Sequence, residues 1–245
     1  MIEREPVLGL IAGTNIMREA PFVAAVETAV HTPYGEVRLQ HAGPLVLVLR
    51  HGMDGDTPPH RIPHRAHVTA LRRIGVRGVV SFCSVGSLRT DLRPGAFVVP
   101  ADFGQLGAPQ TFFSDRAVHV TPTLSEPLRT RLLRLAQEEG LAPRDGGVYW
   151  QTKGPRLETA AEVRLLSTFG DIVGMTFADE ATLCVEANLP VAALCSVDNM
   201  AHGLPGGEAL TSADILSRKQ DTARRWAAIA TRLAKGLDRA FGETG

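Results

Sequence analysis

Short apolar runs alternate with helix-spaced stretches along this chain. VLGLIAG (7–13), PLVLVLR (44–50), GVVSFCS (78–84), GAFVVPA (95–101), GGVYWQT (146–152), DIVGMTF (171–177) and VAALCSV (191–197) are short and rich in branched residues. Their length and Val/Ile content predict buried strands rather than helices. Helical patterns fall between them, near 64–74, 125–139, 158–168 and 178–188. The last helix is the clearest. Thr211 and Asp214 suit a cap with a first-turn acid, and Ile215, Trp226, Ala230, Leu233 and Leu237 recur at helical spacing. This alternation predicts an α/β fold, a three-layer sandwich around a mixed, largely parallel twisted sheet. With no internal repeat and no linker, 1–245 reads as a single domain. The loops near 52–60 and 202–209, rich in Gly, Pro and His, read as rims or lids.

Composition narrows the partners. Lys+Arg and Asp+Glu number 26 each, so the formal charge is zero. That argues against nucleic acid or an anionic membrane as partner and leaves room for a local basic pocket. No apolar run approaches the ~18 residues that span a bilayer. The opening MIEREPVLGLIAG carries early acids and no signal-peptide pattern, so the expected location is cytoplasmic. Cys83, Cys184 and Cys195 have neither CxxC nor metal spacing and are expected as buried free thiols.

In folds of this class ligands bind beyond the carboxyl ends of the strands. The apolar runs end in Gly13-Thr14-Asn15, Arg50-His51-Gly52, Ser84-Val85-Gly86-Ser87, Met175-Thr176 and Asp198-Asn199. If the strands are neighbours, these hydroxyls, glycines, one Arg and one His converge. Such a set suits phosphate, because a guanidinium pairs bidentately while turn amides satisfy the remaining oxygens. Each element alone has a plain structural reading: AGTN as a turn, Arg50 as one half of a buried ion pair. The dinucleotide reading fails, since no GxGxxG follows the first strand; GxxxxGK[ST], HExxH and GxSxG are also missing. The segment HGMDGDTPPHRIPHRAH holds His51, His60, His64 and His67, but Pro58, Pro59 and Pro63 interrupt it and no carboxylate or Cys completes a metal set. A polar rim or solvated face is the expectation there, with no metal.

The residues resemble one family in order along nearly the whole chain. They are GLIAGTN, TPYGE (32–36), LRHG (49–52), PPHRIPHRAHVTAL (58–71), CSVGSLRTDLRPGAFVVPADF (83–103), GVYWQTKGPRLETAAEV (147–163), GDIVGMTFADEATLCVEANLP (170–190) and VDNMAHG (197–203). The family is that of the trimeric purine nucleoside phosphorylases and methylthioadenosine/methylthioinosine phosphorylases. The resemblance implies a nucleoside phosphorylase-like fold and phosphorolysis: purine nucleoside plus phosphate gives free purine and pentose 1-phosphate. It implies that Thr14, Arg50, His51, Ser84 (mainly its backbone N–H) and Thr176 carry phosphate, and that Met175 packs under the ribose. Asn199, Glu158 and His51 would serve catalysis. Asp198, Leu157 and Ser212 would join Met175, Glu158 and Asn199 around the nucleoside, with His202 a further contact near the 5′ group. No metal or organic cofactor is implied, inorganic phosphate being the co-substrate, and the expected assembly is a homotrimer.

Glu158 has two readings. As a first-turn helix acid it would complement the helix dipole, worth ~0.3–1 kcal/mol. In the family, members that bind 6-oxopurines place a Glu here to accept from purine N1–H. Facing the unprotonated N1 of adenine, the same carboxylate would oppose acceptor to acceptor, costing ~1–3 kcal/mol. Asn199 points the same way, because 6-oxopurine members carry an Asn that donates to O6 and accepts from protonated N7. Adenine-type members carry an Asp pair in TDxD. Here VDNMA keeps Asp198 but has Ala201 in place of the second Asp. A 6-oxopurine nucleoside (5′-methylthioinosine, inosine or guanosine) is therefore favoured. The alternatives are a 5′-methylthioadenosine phosphorylase or a nucleoside-binding homologue with weakened catalysis. Glu162 reads as an orienting or structural carboxylate. The chain departs from the family in Pro63, His64 and His67, where NYRAN is usual, in Asn15, and in Thr121, near the place of a residue contributed by a neighbouring subunit.

Overall fold

The computed structural model describes the backbone of residues 8–205 and 212–235, and the side chains among them except those of Thr14 and 212–219. Its strands are β1 (Leu8–Ala12), β2 (Val26–Thr32), β3 (Gly35–Ala42), β4 (Leu45–Leu49), β5 (Val79–Ser87), β6 (Phe97–Val99), β7 (Asp102–Gln105), β8 (Arg144–Asp145), β9 (Val148–Gln151), β10 (Ile172–Gly174) and β11 (Val191–Met200). Its α-helices are α1 (His64–Arg73), α2 (Glu126–Glu138), α3 (Ala160–Leu166), α4 (Phe177–Glu186) and α5 (Ser212–Ala234).

The strands join in one sheet ordered β2-β3-β4-β1-β5-β10-β9-β7, with β11 pairing β5 and β6, and β8 pairing β6. Its centre, β4–β1–β5–β11, is parallel. The β2–β3 hairpin, β3–β4, β5–β10 and β6–β11 are antiparallel. β5 is the branch point. Its first residues pair with β1, Gly86 and Ser87 pair with β10, and β11 follows it from Val79 to Ser87.

Side-chain alternation explains why the central strands read as unbroken apolar runs. Leu8, Leu10 and Ala12 of β1, Val80 and Phe82 of β5, and Ala192 and Leu194 of β11 face one cluster, shared with Leu128 and Leu132 of α2 and Trp226 and Ile229 of α5. Ile11, Val79, Cys83, Val191, Ala193 and Cys195 face the other, shared with Val68 and Leu71 of α1 and Phe177 and Leu183 of α4. Both faces are covered, so both sets of alternating positions in these strands are buried and apolar. Each large side chain so removed from water contributes roughly 1.5–3 kcal/mol. The predicted three-layer α/β sandwich around a mixed, largely parallel sheet is what the chain adopts, and the three cysteines are buried and free.

Several boundaries differ from expectation. The run 171–177 stops being strand at Gly174, and Phe177 already opens α4. The helix expected over 158–168 starts only at Ala160. The β2–β3 hairpin is an addition to the expected strands; β2 is exposed or half-buried throughout and carries no apolar run. The expected cap at Thr211 and Leu237 lie outside the described residues, as do the side chains of Asp214 and Ile215.

Candidate active site

The parallel centre brings the carboxyl ends of β1, β4, β5 and β11 to one edge, and with them Thr14, Arg50-His51, Ser84 and Asn199. Because β10 runs back along β5, Met175 and Thr176 return to the same edge. The expected convergence is therefore present in the backbone. The side chains of Thr14 and Ser212 lie outside those described.

Arg50 is only 3% exposed, and its guanidinium is committed to protein. Nε donates to Glu180 Oε1 at 2.5 Å and Nη2 to Glu180 Oε2 at 3.0 Å; Nη1 donates to the Phe82 carbonyl at 3.0 Å. Nη2 also lies 3.3 Å from the Ile11 carbonyl and 3.6 Å from Cys83 Sγ. Ser81 Oγ donates to Glu180 Oε2 at 2.6 Å. Burial works against the Arg50 charge, but the pull of Glu180 outweighs it and holds the guanidinium pKa above the ordinary arginine value. The bidentate fork expected for phosphate is thus turned onto Glu180, for a physical reason: a buried guanidinium needs a counter-ion in the fold itself. Glu180 was missed in the sequence, although an acid within the apolar stretch FADEATL is itself a signal that a buried partner exists.

The histidine segment also differs from the solvated face expected of it. His60 is exposed and His51 half-buried, but His64 and His67 lie on the inner face of α1 with exposures of 1% and 6%. Burial pushes the His64 pKa down to about 4 and that of His67 down to about 3. Both are neutral at pH 7. His64 Nδ1 lies 3.8 Å from Glu180 Oε1, beyond hydrogen-bond reach. His51 Nδ1 is 2.7 Å from the Thr57 carbonyl. An oxygen there can only accept, so Nδ1 carries the proton and a neutral ring keeps its lone pair on Nε2. Among the described residues no group of three or more His, Cys, Asp or Glu could hold a metal ion.

Thr176 caps α4 in position only: its hydroxyl makes no capping bond. The helix-start N–H groups are served from β9 instead. Tyr149 Oη accepts from Thr176 N and Phe177 N at 3.2 and 3.3 Å. Gln151 Oε1 accepts from Ala178 N and Asp179 N at 2.7 and 3.2 Å, while its Nε2 donates to Asp179 Oδ2. These side chains fill the orphan donors of a helix N-terminus, and nothing in the sequence marked them. Gly174 is required by the same contact, since a Cβ there would sit 2.2 Å from Tyr149 Oη.

The base side is built from two loops. After β9 the chain turns through Gly154, which is left-handed (φ 58°) and lies against Met175; a Cβ on it would meet Met175 Sδ at 2.5 Å. Glu158 follows, 8% exposed, and its Oε1 accepts from Thr152 Oγ1 at 2.5 Å. It is not a first-turn acid. The N-cap of α3 is Thr159, and the capping-box acid is Glu162, whose Oε2 accepts from Thr159 N at 2.8 Å. Arg156 grips both Glu162 oxygens at 2.8 Å. On β11, a bulge at Asp198 parts it from Asn199. Asp198 Oδ1 accepts from Ser196 Oγ at 3.0 Å, and that hydroxyl lies 3.2 Å from Thr222 Oγ1 of α5. Asn199 instead lies across from Gly86, where a Cβ would come 3.5 Å from its Nδ2 and 3.3 Å from Val173 Cγ1. Ala160 packs on Gly203, so the segment after Glu158 lies against the loop after Asn199. Leu157 is 67% exposed, and Thr121, His202 and Ser84 are exposed as well. A cleft of about 460 Å³ lies elsewhere, lined by residues that include Tyr34, Arg61, Arg65 and Thr111.

The architecture is that of an α/β protein with polar side chains gathered at the carboxyl edge of a parallel sheet, the usual ligand edge of such folds. Residues 7–237 match the Phosphorylase superfamily, and the chain belongs to it. It is 37% identical over 223 residues to a protein of Archaeoglobus fulgidus named "Probable 6-oxopurine nucleoside phosphorylase", covering 89% of this chain and 91% of that one. It is 38% identical over 207 residues to a "Probable S-methyl-5'-thioinosine phosphorylase" of Methanothermobacter thermautotrophicus, covering 81% and 73%. Among solved structures, a methylthioadenosine phosphorylase from an antarctic soil metagenomic library superposes with a TM-score of 0.84 at 26% identity, covering 96% of this chain and 88% of that one.

Proposed function

We propose that the chain cleaves the N-glycosidic bond of purine nucleosides with inorganic phosphate, giving free purine and pentose 1-phosphate, and that it prefers 6-oxopurine bases. A phosphate oxygen attacks C1′, the C1′–N9 bond breaks, and its electrons pass into the purine, which is protonated at N7. Two things must therefore be held: phosphate beneath C1′ and a purine that is becoming negative. Thr14, His51, Ser84 and Thr176 are assigned to phosphate. The Thr176 hydroxyl, unused as a cap, supports this. Arg50 braces the edge behind them through its pair with Glu180 rather than offering a free fork. Met175 takes the ribose. Asn199 takes O6 and N7, and Glu158 accepts from N1–H. Phosphate is the only co-reactant, and the reaction as proposed needs no cofactor.

The observation that carries the base assignment is that Glu158 is buried and ahead of the helix, while Glu162 does the capping. A carboxylate placed inside without a capping task is available to a ligand. The names of the Archaeoglobus and Methanothermobacter relatives support a 6-oxopurine, and that of the metagenomic structure keeps 5′-methylthioadenosine as the second reading. Asp198 would be the group favouring a 6-aminopurine, but it bonds Ser196. Glu158→Gln tests the assignment: inosine turnover relative to adenosine turnover is expected to collapse with the melting temperature near the wild-type value. An unchanged ratio would remove Glu158 from the base. A homotrimer in the cytoplasm is part of the same reading. Light scattering giving three times the chain mass supports the assembly, and a monomer mass overturns it. Among the described residues no helix is long and apolar enough to cross a membrane.

A further inference from the structure

We propose that Thr152 is a positioning residue for Glu158: its hydroxyl occupies one carboxylate oxygen, aims the other at the base, and thereby helps set the preference for 6-oxopurines. This inference rests on the base-reading role proposed for Glu158.

Thr152 follows β9 directly, and its own N–H donates to the Gly174 carbonyl at 2.9 Å, tying it to the end of β10. The chain then turns at left-handed Gly154 under Met175, which brings Glu158 back over Thr152. The Oγ1–Oε1 distance is 2.5 Å, at the short end for a charge-assisted O–H···O bond. A hydroxyl can donate or accept, but facing an ionised carboxylate it must donate. With Oε1 filled in this way, Oε2 remains to accept from purine N1–H.

A 6-aminopurine has an unprotonated N1, which would face the fixed Oε2 acceptor to acceptor. An apolar side chain at 152 would leave the Glu158 carboxylate unanchored and blunt that discrimination. Thr152 thus acts through Glu158 without touching the base.

The experiment measures kcat and KM for inosine and adenosine on the full chain and on Thr152→Val, Thr152→Ser and Glu158→Gln, with a thermal melt of each. Thr152→Val is expected to lower the inosine-to-adenosine ratio of kcat/KM on the order of tenfold. Thr152→Ser, which keeps the donor, should restore the ratio. If Thr152→Val does not fold, Thr152→Ala replaces it with the same expectations. A wild-type ratio in Thr152→Val would overturn the inference. So would an equal loss on both substrates with a lowered melting temperature, which is what a loop-bracing role predicts. If Glu158→Gln collapses the ratio and Thr152→Val does not, only the inference about Thr152 fails. If Glu158→Gln itself leaves the ratio intact, the base-reading role fails and the inference with it.

Discussion

Glu158 and Glu162 lie one helical turn apart in sequence and do different work. The Arg156 hydrogen bond, then the Thr159 N–H, holds Glu162 down at about 2, well below its ordinary value of 4.5. A carboxylate with a lowered folded pKa stabilises the protein above its ordinary pKa, and that contribution is lost as pH falls. Glu162→Gln should therefore flatten the acid side of the stability curve between about pH 4.5 and pH 2 and leave base preference unchanged; an altered inosine-to-adenosine ratio would contradict this. Arg50 and Glu180 make the opposite case, a pair with both charges out of water. Glu180→Ala strands the guanidinium and should destabilise the fold by about 3–5 kcal/mol in chemical denaturation. A loss under 1 kcal/mol (about what an exposed pair gives) would mean that Arg50 is not held as described. The sequence made Arg50 and Asn199 visible, because polar groups after apolar runs need a reason, and Glu158 through the family resemblance of the segment around it. It could not show where the Arg50 fork points, since that depends on Glu180, 130 positions away.

Among the elements, α1 and α4 carry the site from behind. α1 brings His64 and His67 inside as neutral rings, with pKa values near 4 and 3 against an ordinary 6.5. The unfolded chain therefore binds protons that the folded one refuses, and stability falls as pH drops below about 6.5. Replacing both histidines with Asn should reduce that slope in denaturation curves between about pH 6.5 and pH 4. An identical slope would mean that the rings are not sheltered. α4 depends on β9 for its start. Tyr149→Phe leaves the Thr176 and Phe177 N–H groups without their acceptor and should cost about 1–3 kcal/mol, whereas no loss in denaturation would contradict the cap. The ranges of α1, α2 and the central strands were legible because periodicity records which faces are buried. The start of α3 was not, because Glu158 resembles a first-turn acid until Thr159 is seen to cap. The β2–β3 hairpin was missed although Val37 and Leu39 alternate with polar residues in β3, since β2 shows no apolar face of its own.

Across the whole molecule, the branching of the sheet at β5 assembles the site. Pairing on one edge with β1 and then with β10, and on the other with β11, puts the ends of sequence-distant segments within one row. Helix layers pack against both faces of the sheet behind that row. The α/β class was readable from alternation alone, but the branch was not, because nothing local in GVVSFCSVGS tells that two strands share one edge. Phosphorolysis by this row, with the base chosen by Glu158, is best tested by initial rates. The substrates are inosine, guanosine, 5′-methylthioinosine, adenosine and 5′-methylthioadenosine, each with and without phosphate. Phosphate-dependent release of base is expected, fastest for the 6-oxopurines. Faster cleavage of the adenine nucleosides would contradict the role of Glu158, and no phosphate-dependent cleavage of any of them would contradict the reaction itself.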